Sequence, residues 1–213
     1  MDELVEAIRS RYLGIFRFQQ ESRVTNDMYL CDLVVLGLLD RNIALVEAMP
    51  SLIQDRNLHA IAPLLRIQLD GLLRLHAFRL VESSENLASH VMKGEPLNRY
   101  KCKKLNKAKL TDRHLVDTLK VELPWVEEMY GRLCGWVHFS DSHIFSAVTE
   151  GEKEGSIYVG IGSYRQRIPD ETFKSVIGAI EIIHESTALL IEAYFNAERP
   201  RKQGSLDTGS TYV

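Results

Sequence analysis

Residues 58–82, LHAIAPLLRIQLDGLLRLHAFRLVE, contain the longest helical pattern of the chain and decide its fold class. Their apolar side chains recur at intervals of three and four, the period of a helix face that packs against a core. Pro63 lies near the start of this segment, where a helix best tolerates a residue without an N–H group. The pattern therefore predicts a long helix from about Leu58 to Glu82. Its apolar side chains are Ile61, Leu64, Leu65, Leu69, Leu72, Leu73 and Phe78.

The segments that precede this helix are also helical in pattern. Residues 2–20 carry one apolar stripe, and residues 28–49 are apolar on several sides, which indicates a helix in the middle of a bundle. Thr25 or Asn26 is suited to cap that second helix, which should end near Met49.

The segments that follow predict further helices and one β insertion. The helices are expected over Glu85–Lys93 with Gly94 as its end, about His114–Val121 with Thr111 or Asp112 as its cap, Pro124 to about Val137, and Pro169 to about Ala197. Ile144–Val148 and Ser156–Gly160 are short β-leaning runs on either side of TEGEKEG, and they predict a hairpin.

These patterns predict an all-α protein: a bundle of five to six helices with a small β-hairpin insertion before the last helix. Residues 1–198 form a single helical domain in this interpretation. Residues 199–213, RPRKQGSLDTGSTYV, contain few apolar side chains, and we expect them to be a disordered C-terminal tail.

Composition excludes several classes of protein. The chain has 213 residues, a net charge of −3 and 45% hydrophobic residues, so it is neither a generally basic nucleic-acid coat nor a disordered chain. Cys31, Cys102 and Cys134 are too widely spaced for a Cys-x-x-Cys site, and we expect reduced thiols. The N-terminal stretch MDELVEAIRS lacks the layout of a signal peptide, and the apolar run of residues 28–49 contains charged residues. We therefore expect a cytoplasmic protein that does not bind a membrane.

The segment Tyr130–His143, YGRLCGWVHFSDSH, contains the residues best suited to phosphodiester chemistry. Arg132 is permanently charged and can bind two phosphate oxygens, and His138 can move a proton near neutral pH. Six positions span about 600° of a straight helix, so the two side chains would lie about 120° apart. They can meet on one substrate only if the helix ends near Val137 or if two chains share a site. The alternative is that Arg132 forms a surface ion pair and that His138 only ends the helix.

The Arg132-x5-His138 run in an α-helical chain resembles the Arg-x(4–6)-His signature of the HEPN superfamily, the nucleotide-binding domains of higher eukaryotes and prokaryotes. More narrowly, Tyr130, Cys134, Val137, His138 and Ser140 resemble a set of uncharacterised bacterial helical proteins. In that set a β-leaning spacer and a long last helix follow the run. The resemblance covers most of residues 25–197.

This resemblance implies a homodimeric, metal-independent endoribonuclease that cleaves RNA through attack of the ribose 2′-hydroxyl. It also implies a toxin or an effector of antiphage defence, acting with an antitoxin or another defence-system protein. Arg132 would bind the scissile phosphate and His138 would be the general acid and base, at a cleft between the two protomers.

Two departures from the family pattern keep other functions open. Leu133 follows the arginine where active HEPN ribonucleases usually have a polar residue, and Ser140 stands where one toxin branch has tyrosine. The chain therefore also fits a non-catalytic module of the same fold that binds RNA or a nucleotide or acts as a regulatory subunit. A helical dimerisation protein without a ligand is the third interpretation.

Further polar residues are candidates for a supporting role. Arg66, Asp70 and Arg74 follow one another at four-residue intervals and form a charged line on an otherwise apolar helix. The resemblance places an arginine and an acidic residue here, which implies that Arg66 and Asp70 orient the catalytic pair or a phosphate. An exposed ladder of ion pairs is the alternative. Ser140 and His143, directly after the motif, complete the supporting set.

A basic run between Arg99 and Arg113 stands out in this acidic chain. Such a run beside Tyr100 is suited to follow an RNA backbone, although a solvated loop is its common form. The expected contacts with RNA, tRNA included, are Lys101, Lys103, Lys104, Lys107 and Lys109.

Glu181-x-x-His184 has the spacing of a di-iron ligand pair, but such a site needs a second copy of this motif and further glutamates. The sequence therefore predicts no metal site and no cofactor.

Overall fold

The computed structural model describes residues 1–21, 28–101, 108–138, 140–162 and 164–197. These described residues form nine α-helices, two short 3₁₀ turns and one two-stranded sheet. The helices are α1 (Asp2–Glu21), α2 (Leu30–Glu47), α3 (Met49–Gln54), α4 (Leu58–Leu80), α5 (Ser84–Met92), α6 (Asp112–Leu119), α7 (Trp125–Val137), α8 (Asp141–Ala147) and α9 (Asp170–Asn196). The strands are β1 (Val148–Glu150) and β2 (Ile157–Val159), and the 3₁₀ turns cover Leu97–Arg99 and Tyr164–Arg167. The predicted all-α bundle with a β-hairpin before the last helix is confirmed.

Helix α4 is the central element of the bundle, and it contacts α2, α3, α5, α6, α7 and α9. Ile61, Leu69 and Leu72 are fully buried in it. Burial of an aliphatic side chain of this size contributes about 1.5–3 kcal/mol. The segment with the longest apolar pattern therefore organises the core.

Helix α2 begins and ends inside its predicted bounds. It starts at Leu30 rather than after Thr25 or Asn26, which lie outside the described residues, and it stops at Glu47. Pro50 then occupies the first turn of the separate helix α3. A proline cannot continue a helix because it lacks the N–H group and its ring clashes with the preceding turn.

Two helix boundaries form as the sequence predicts. The side-chain oxygen of Thr111 accepts a hydrogen bond from the backbone N–H of His114 at 3.4 Å and caps α6. Gly94 follows α5 with a φ of 75°, the left-handed conformation that glycine adopts without strain.

The hairpin differs from its prediction in its first strand. Residues 141–147 are helix α8 and the strand begins only at Val148, so the expected strand over Ile144–Val148 is wrong. The turn at Ser140 favours a helix start, because the Ser140 N–H donates to Nδ1 of His143 at 3.3 Å. The described ranges contain nine α-helices, more than the expected five to six, and two of them, α3 and α8, lie in segments without a predicted helix.

No helix of the described ranges has both the length and the apolar character needed to cross a bilayer. The predicted tail, residues 199–213, lies outside the described residues.

Candidate functional site at the end of helix α7

Arg132 lies on the solvent-facing side of α7. Its side chain is 76% exposed, and it pairs with Glu128 one turn earlier at 3.6 Å. It also lines a groove of about 380 Å³ between α4, α7 and α9, together with Trp125, Trp136 and Val176. Within the described residues its ion-pair partner is the exposed Glu128, so its guanidinium is accessible to a ligand at the surface.

His138 is exposed and lies directly beyond the last residue of α7. Its backbone is extended, with φ −96° and ψ 144°, and its N–H donates to the carbonyl of Cys134 at 3.0 Å. The helix thus ends at Val137, one of the two conditions under which Arg132 and His138 can reach one substrate.

The residues between the motif pair face both solvent and core. Leu133 is buried at 7% exposure and belongs to the hydrophobic core, whereas Val137 is 48% exposed. The position after the motif arginine is therefore used for packing, which is the physical reason that it is apolar.

Ser140 and His143 form the corner between α7 and α8. The Ser140 hydroxyl donates to the carbonyl of Gly135 at 2.6 Å, and its N–H donates to Nδ1 of His143. Both predicted supporting residues therefore fix the chain on the C-terminal side of His138.

Three rings pack together beside this corner. His59 stacks on His143 with ring centroids 5.3 Å apart, and Trp136 lies edge-on to both rings at 5.3 and 5.4 Å. Burial, and secondly the neighbouring His143, lower the pKa of His59 below its ordinary value. This ring cluster ties the start of α4 to the end of α7 and so anchors the backbone on which His138 sits.

Arg66 and Asp70 belong to a different polar cluster. Arg66, Arg74, Asp70 and Asp112 form a closed set of four ion pairs, with nitrogen–oxygen distances of 2.7–3.6 Å. Tyr130 closes the cluster: its hydroxyl donates to Asp112 at 3.2 Å, and the Arg66 guanidinium lies 4.3 Å from its ring centroid.

Burial and charge act in opposite directions on the titratable groups of this cluster. Burial alone would raise the pKa of Asp112, but Arg74 and Arg66 outweigh it and lower that pKa. Burial is also the main reason that the pKa of Tyr130 rises to about 12. With two arginines and two aspartates, the cluster is internally neutral near pH 7.

This neutral cluster does not reach Arg132. Tyr130, which contacts it, lies two positions before Arg132 and therefore about 200° away around α7. The structure thus gives Arg66 and Asp70 a place at the α4–α6–α7 contact, on another face of α7 from the motif arginine.

The basic run is described only at its two ends. Lys101 and Lys109 are exposed and pair as an isolated antiparallel bridge. Lys103, Lys104 and Lys107 lie outside the described residues. Arg113, at the end of the run, forms ion pairs with Asp117 and Glu127.

Sequence reasoning missed several partners of the candidate residues. Asp112 was visible only as a helix cap, and its pairing with Arg66 and Arg74 depends on how α6 packs on α4. Glu128 is at the i−4 position from Arg132, a spacing that signals an ion pair. No sequence pattern pointed to the stacking of His59 on His143.

Comparison with known proteins found no matching family model, no matching curated protein and no matching solved structure.

Proposed function

We propose that the protein is a metal-independent endoribonuclease of the HEPN type, a toxin or antiphage-defence effector that works as a homodimer. The observation that carries this proposal is the placement of the motif pair. Arg132 and His138 are both solvent-exposed near the C-terminal end of α7, and that helix ends at Val137. Beside them Ser140 and His143 are engaged in the corner, and Leu133 is engaged in the core.

The chemistry needs one cation and one or two proton carriers. In the proposed step an imidazole of His138 removes the proton from a ribose 2′-hydroxyl, and the resulting oxygen attacks the adjacent phosphorus. Arg132 stabilises the charge that develops on the phosphate oxygens. The imidazolium of His138 then gives its proton to the departing 5′-oxygen, so that a 2′,3′-cyclic phosphate and a 5′-hydroxyl are formed.

Replacement of His138 tests the proposal directly. Purified His138→Gln and Arg132→Ala variants should lose cleavage of a mixed RNA substrate in EDTA by about 100-fold or more, since each removes a group that acts in the transition state. The end groups of the fragments identify the reaction, because 2′-hydroxyl attack leaves a cyclic phosphate.

The chain offers a matched control for the arginine. Arg9 is 49% exposed and pairs with Glu6 on the preceding turn at 3.8 Å, much as Arg132 pairs with Glu128, but it lies on α1. Arg9→Ala should therefore cleave RNA at the wild-type rate. Wild-type cleavage by His138→Gln would contradict the proposal.

The second candidate function is a non-catalytic module that binds RNA or a nucleotide or regulates a partner. It is favoured by Leu133, which is buried in the core where active enzymes of the resembled family usually have a polar residue. If the wild-type protein cuts no RNA but binds it with a steep salt dependence, this second function replaces the first.

A further inference from the structure

Strand β2 is apolar and exposed on both faces. Ile157, Tyr158 and Val159 are 68%, 55% and 53% exposed, and Ile161 just beyond the strand is 87% exposed. A folded chain seldom leaves several large apolar side chains of one strand in water unless another surface covers them.

The hydrogen-bond register leaves one edge of β2 open. Thr149 pairs with Tyr158, and the Gly160 N–H donates to Ala147 and the Gly151 N–H to Ser156, both at 2.9 Å. In an antiparallel ladder, bonded pairs alternate with non-bonded ones, so the backbone groups of Ile157 and Val159 point away from β1. The described part of the chain places no strand along that edge.

This open edge is self-complementary. If two β2 strands lie antiparallel about a two-fold axis at Tyr158, Ile157 of one copy faces Val159 of the other. Both residues point their N–H and C=O groups outward, so this register forms four hydrogen bonds between the copies. A shift of this register by one residue would place inward-pointing backbone groups opposite each other, and the four hydrogen bonds between the copies would be lost.

Charges at the two ends of the hairpin favour the same arrangement. The turn end carries the exposed Glu150, Glu152 and Glu154, with Lys153 among them. The opposite end carries Arg165 and Arg167, and the Arg167 guanidinium donates to the carbonyl of Gly160 just beyond β2 at 3.2 Å. Antiparallel pairing brings the acidic end of each copy beside the basic end of the other.

We propose that β2 pairs with β2 of a second copy of this chain, forming a four-stranded antiparallel sheet across a two-fold axis at Tyr158. The outer edge of β1 is the less suitable partner surface, because Val148 there is already half-buried. The pairing supplies the second protomer that the proposed ribonuclease needs, but it does not depend on RNA cleavage.

Proline substitution tests the pairing without disturbing the hairpin itself. Val159→Pro removes an N–H that points away from β1, a position at which edge strands accept proline. It deletes two of the four hydrogen bonds between the copies. The dissociation constant of the dimer, measured by sedimentation, should therefore rise about thirtyfold. The matched control compares Glu150→Pro with Glu150→Gln, which lose the same charge at the turn end. Only the proline also removes an outward N–H on the β1 edge, so these two variants should form dimers of equal stability.

Disulfide trapping checks the register. In this register Tyr158 of one copy lies opposite Tyr158 of the second copy in a non-bonded pair. The Cα atoms of such a pair lie about 4.5 Å apart, a distance at which a disulfide can form. Under mild oxidation Tyr158→Cys should yield a covalent dimer with a 158–158 linked peptide in mass spectrometry. Thr149→Cys, at the equivalent position of β1, should give no more dimer than the wild-type protein with its native cysteines.

Three outcomes would overturn the pairing. They are a wild-type protein that stays monomeric at its 24.3 kDa mass at every concentration, a Val159→Pro dimer of undiminished stability, and cross-linking through Thr149→Cys instead of Tyr158→Cys. The second and third outcomes leave the proposed ribonuclease intact with a different dimer interface, whereas loss of cleavage alone leaves the strand pairing intact.

Discussion

Charged side chains inside the bundle are stabilised by pairing with opposite charges rather than by contact with solvent. Arg66 is only 13% exposed, and it shares Asp70 and Asp112 with Arg74. Burial of such groups costs free energy unless each charge keeps a partner. The cluster therefore acts as one unit, and removal of one member affects the others.

Asp112→Asn should lower the free energy of unfolding by about 1–3 kcal/mol, a value reduced from that of fully buried pairs because Asp112 is 34% exposed. The change leaves two arginines with one carboxylate. Urea unfolding measures the effect. Asp117→Asn on the same helix is the control and should cost less, since its partners Arg113 and Lys120 keep Glu127 and contact with solvent. Equal losses in both variants would show that the cluster has no special role.

Two buried histidines make the fold sensitive to acid. His184 and His76 are each 2% exposed, and burial lowers the pKa of each to about 4. In His76 the nearby Arg79 acts in the same direction. Tyr12 and Thr118 satisfy one ring nitrogen of each histidine, at 2.7 and 3.0 Å, which suits the neutral ring.

Stability should therefore fall as the pH drops from 6.5 to 5. In this range the unfolded chain takes up a proton on each histidine at its ordinary pKa of about 6.5, while the folded chain does not, so each contributes a loss of about 1.5 kcal/mol. In His184→Gln the pH dependence of the free energy of unfolding should be weaker by that amount. An unchanged slope in urea titrations at pH 6.5 and 5 would refute the assignment.

At the scale of helices, two glycines differ in the space around them: one lies at a close contact between helices and the other lies on an open surface. A Cβ on Gly71 of α4 would lie 2.7 Å from Leu38 and 2.9 Å from Arg41 of α2, whereas one on Gly178 of α9 would meet nothing within 4 Å. A larger residue at position 71 therefore requires the side-chain ends of Leu38 and Arg41 to move, whereas one at position 178 displaces nothing.

Gly178→Ala should raise the free energy of unfolding by about 0.5–1 kcal/mol, the difference in helix propensity. Gly71→Ala has the same propensity gain, but Leu38 and Arg41 must move, so it should fall below Gly178→Ala by about 1 kcal/mol or more. Thermal unfolding of the two variants checks this ordering. A Gly71→Ala protein as stable as Gly178→Ala would show that the contact between α2 and α4 accommodates an additional methyl group.

The limits of sequence reasoning also appear at this scale. The period of residues 58–82 was sufficient to predict α4, and Thr111 and Gly94 marked helix ends through local hydrogen bonds and backbone conformation. The expected strand over Ile144–Val148 was wrong, because the β preference of its apolar residues is weak against the turn at Ser140. Local signals were reliable where one residue sets the geometry.

The candidate site was only partly predictable for the same reason. Position in the sequence was sufficient to place Arg132 and His138 near the end of a helix. It could not separate Arg66 and Asp70 from them, since the separation arises from the side of α7 on which Tyr130 packs. Contacts between helices that are distant in sequence carry no periodic signal.

At the scale of the whole molecule, the two protomers of the proposed dimer can share each site, one supplying Arg132 and the other His138. Arg132 and His138 lie on exposed faces of one protomer, and their separation around the end of α7 allows a site shared between copies. A two-fold dimer with shared sites has an arginine from one chain and a histidine from the other at each site. Each single variant then damages both sites of its own homodimer.

Mixed dimers distinguish shared from separate sites. In a heterodimer of Arg132→Ala with His138→Gln, one shared site contains both replacements and the other contains neither. Equal co-expression should therefore restore about one quarter of wild-type RNA cleavage, because half of the dimers are mixed and each has one intact site. Sites built within single protomers would show no restoration, since every chain lacks one group. Adding Val159→Pro to both chains should then abolish the restored activity at low protein concentration if β2 holds the protomers together.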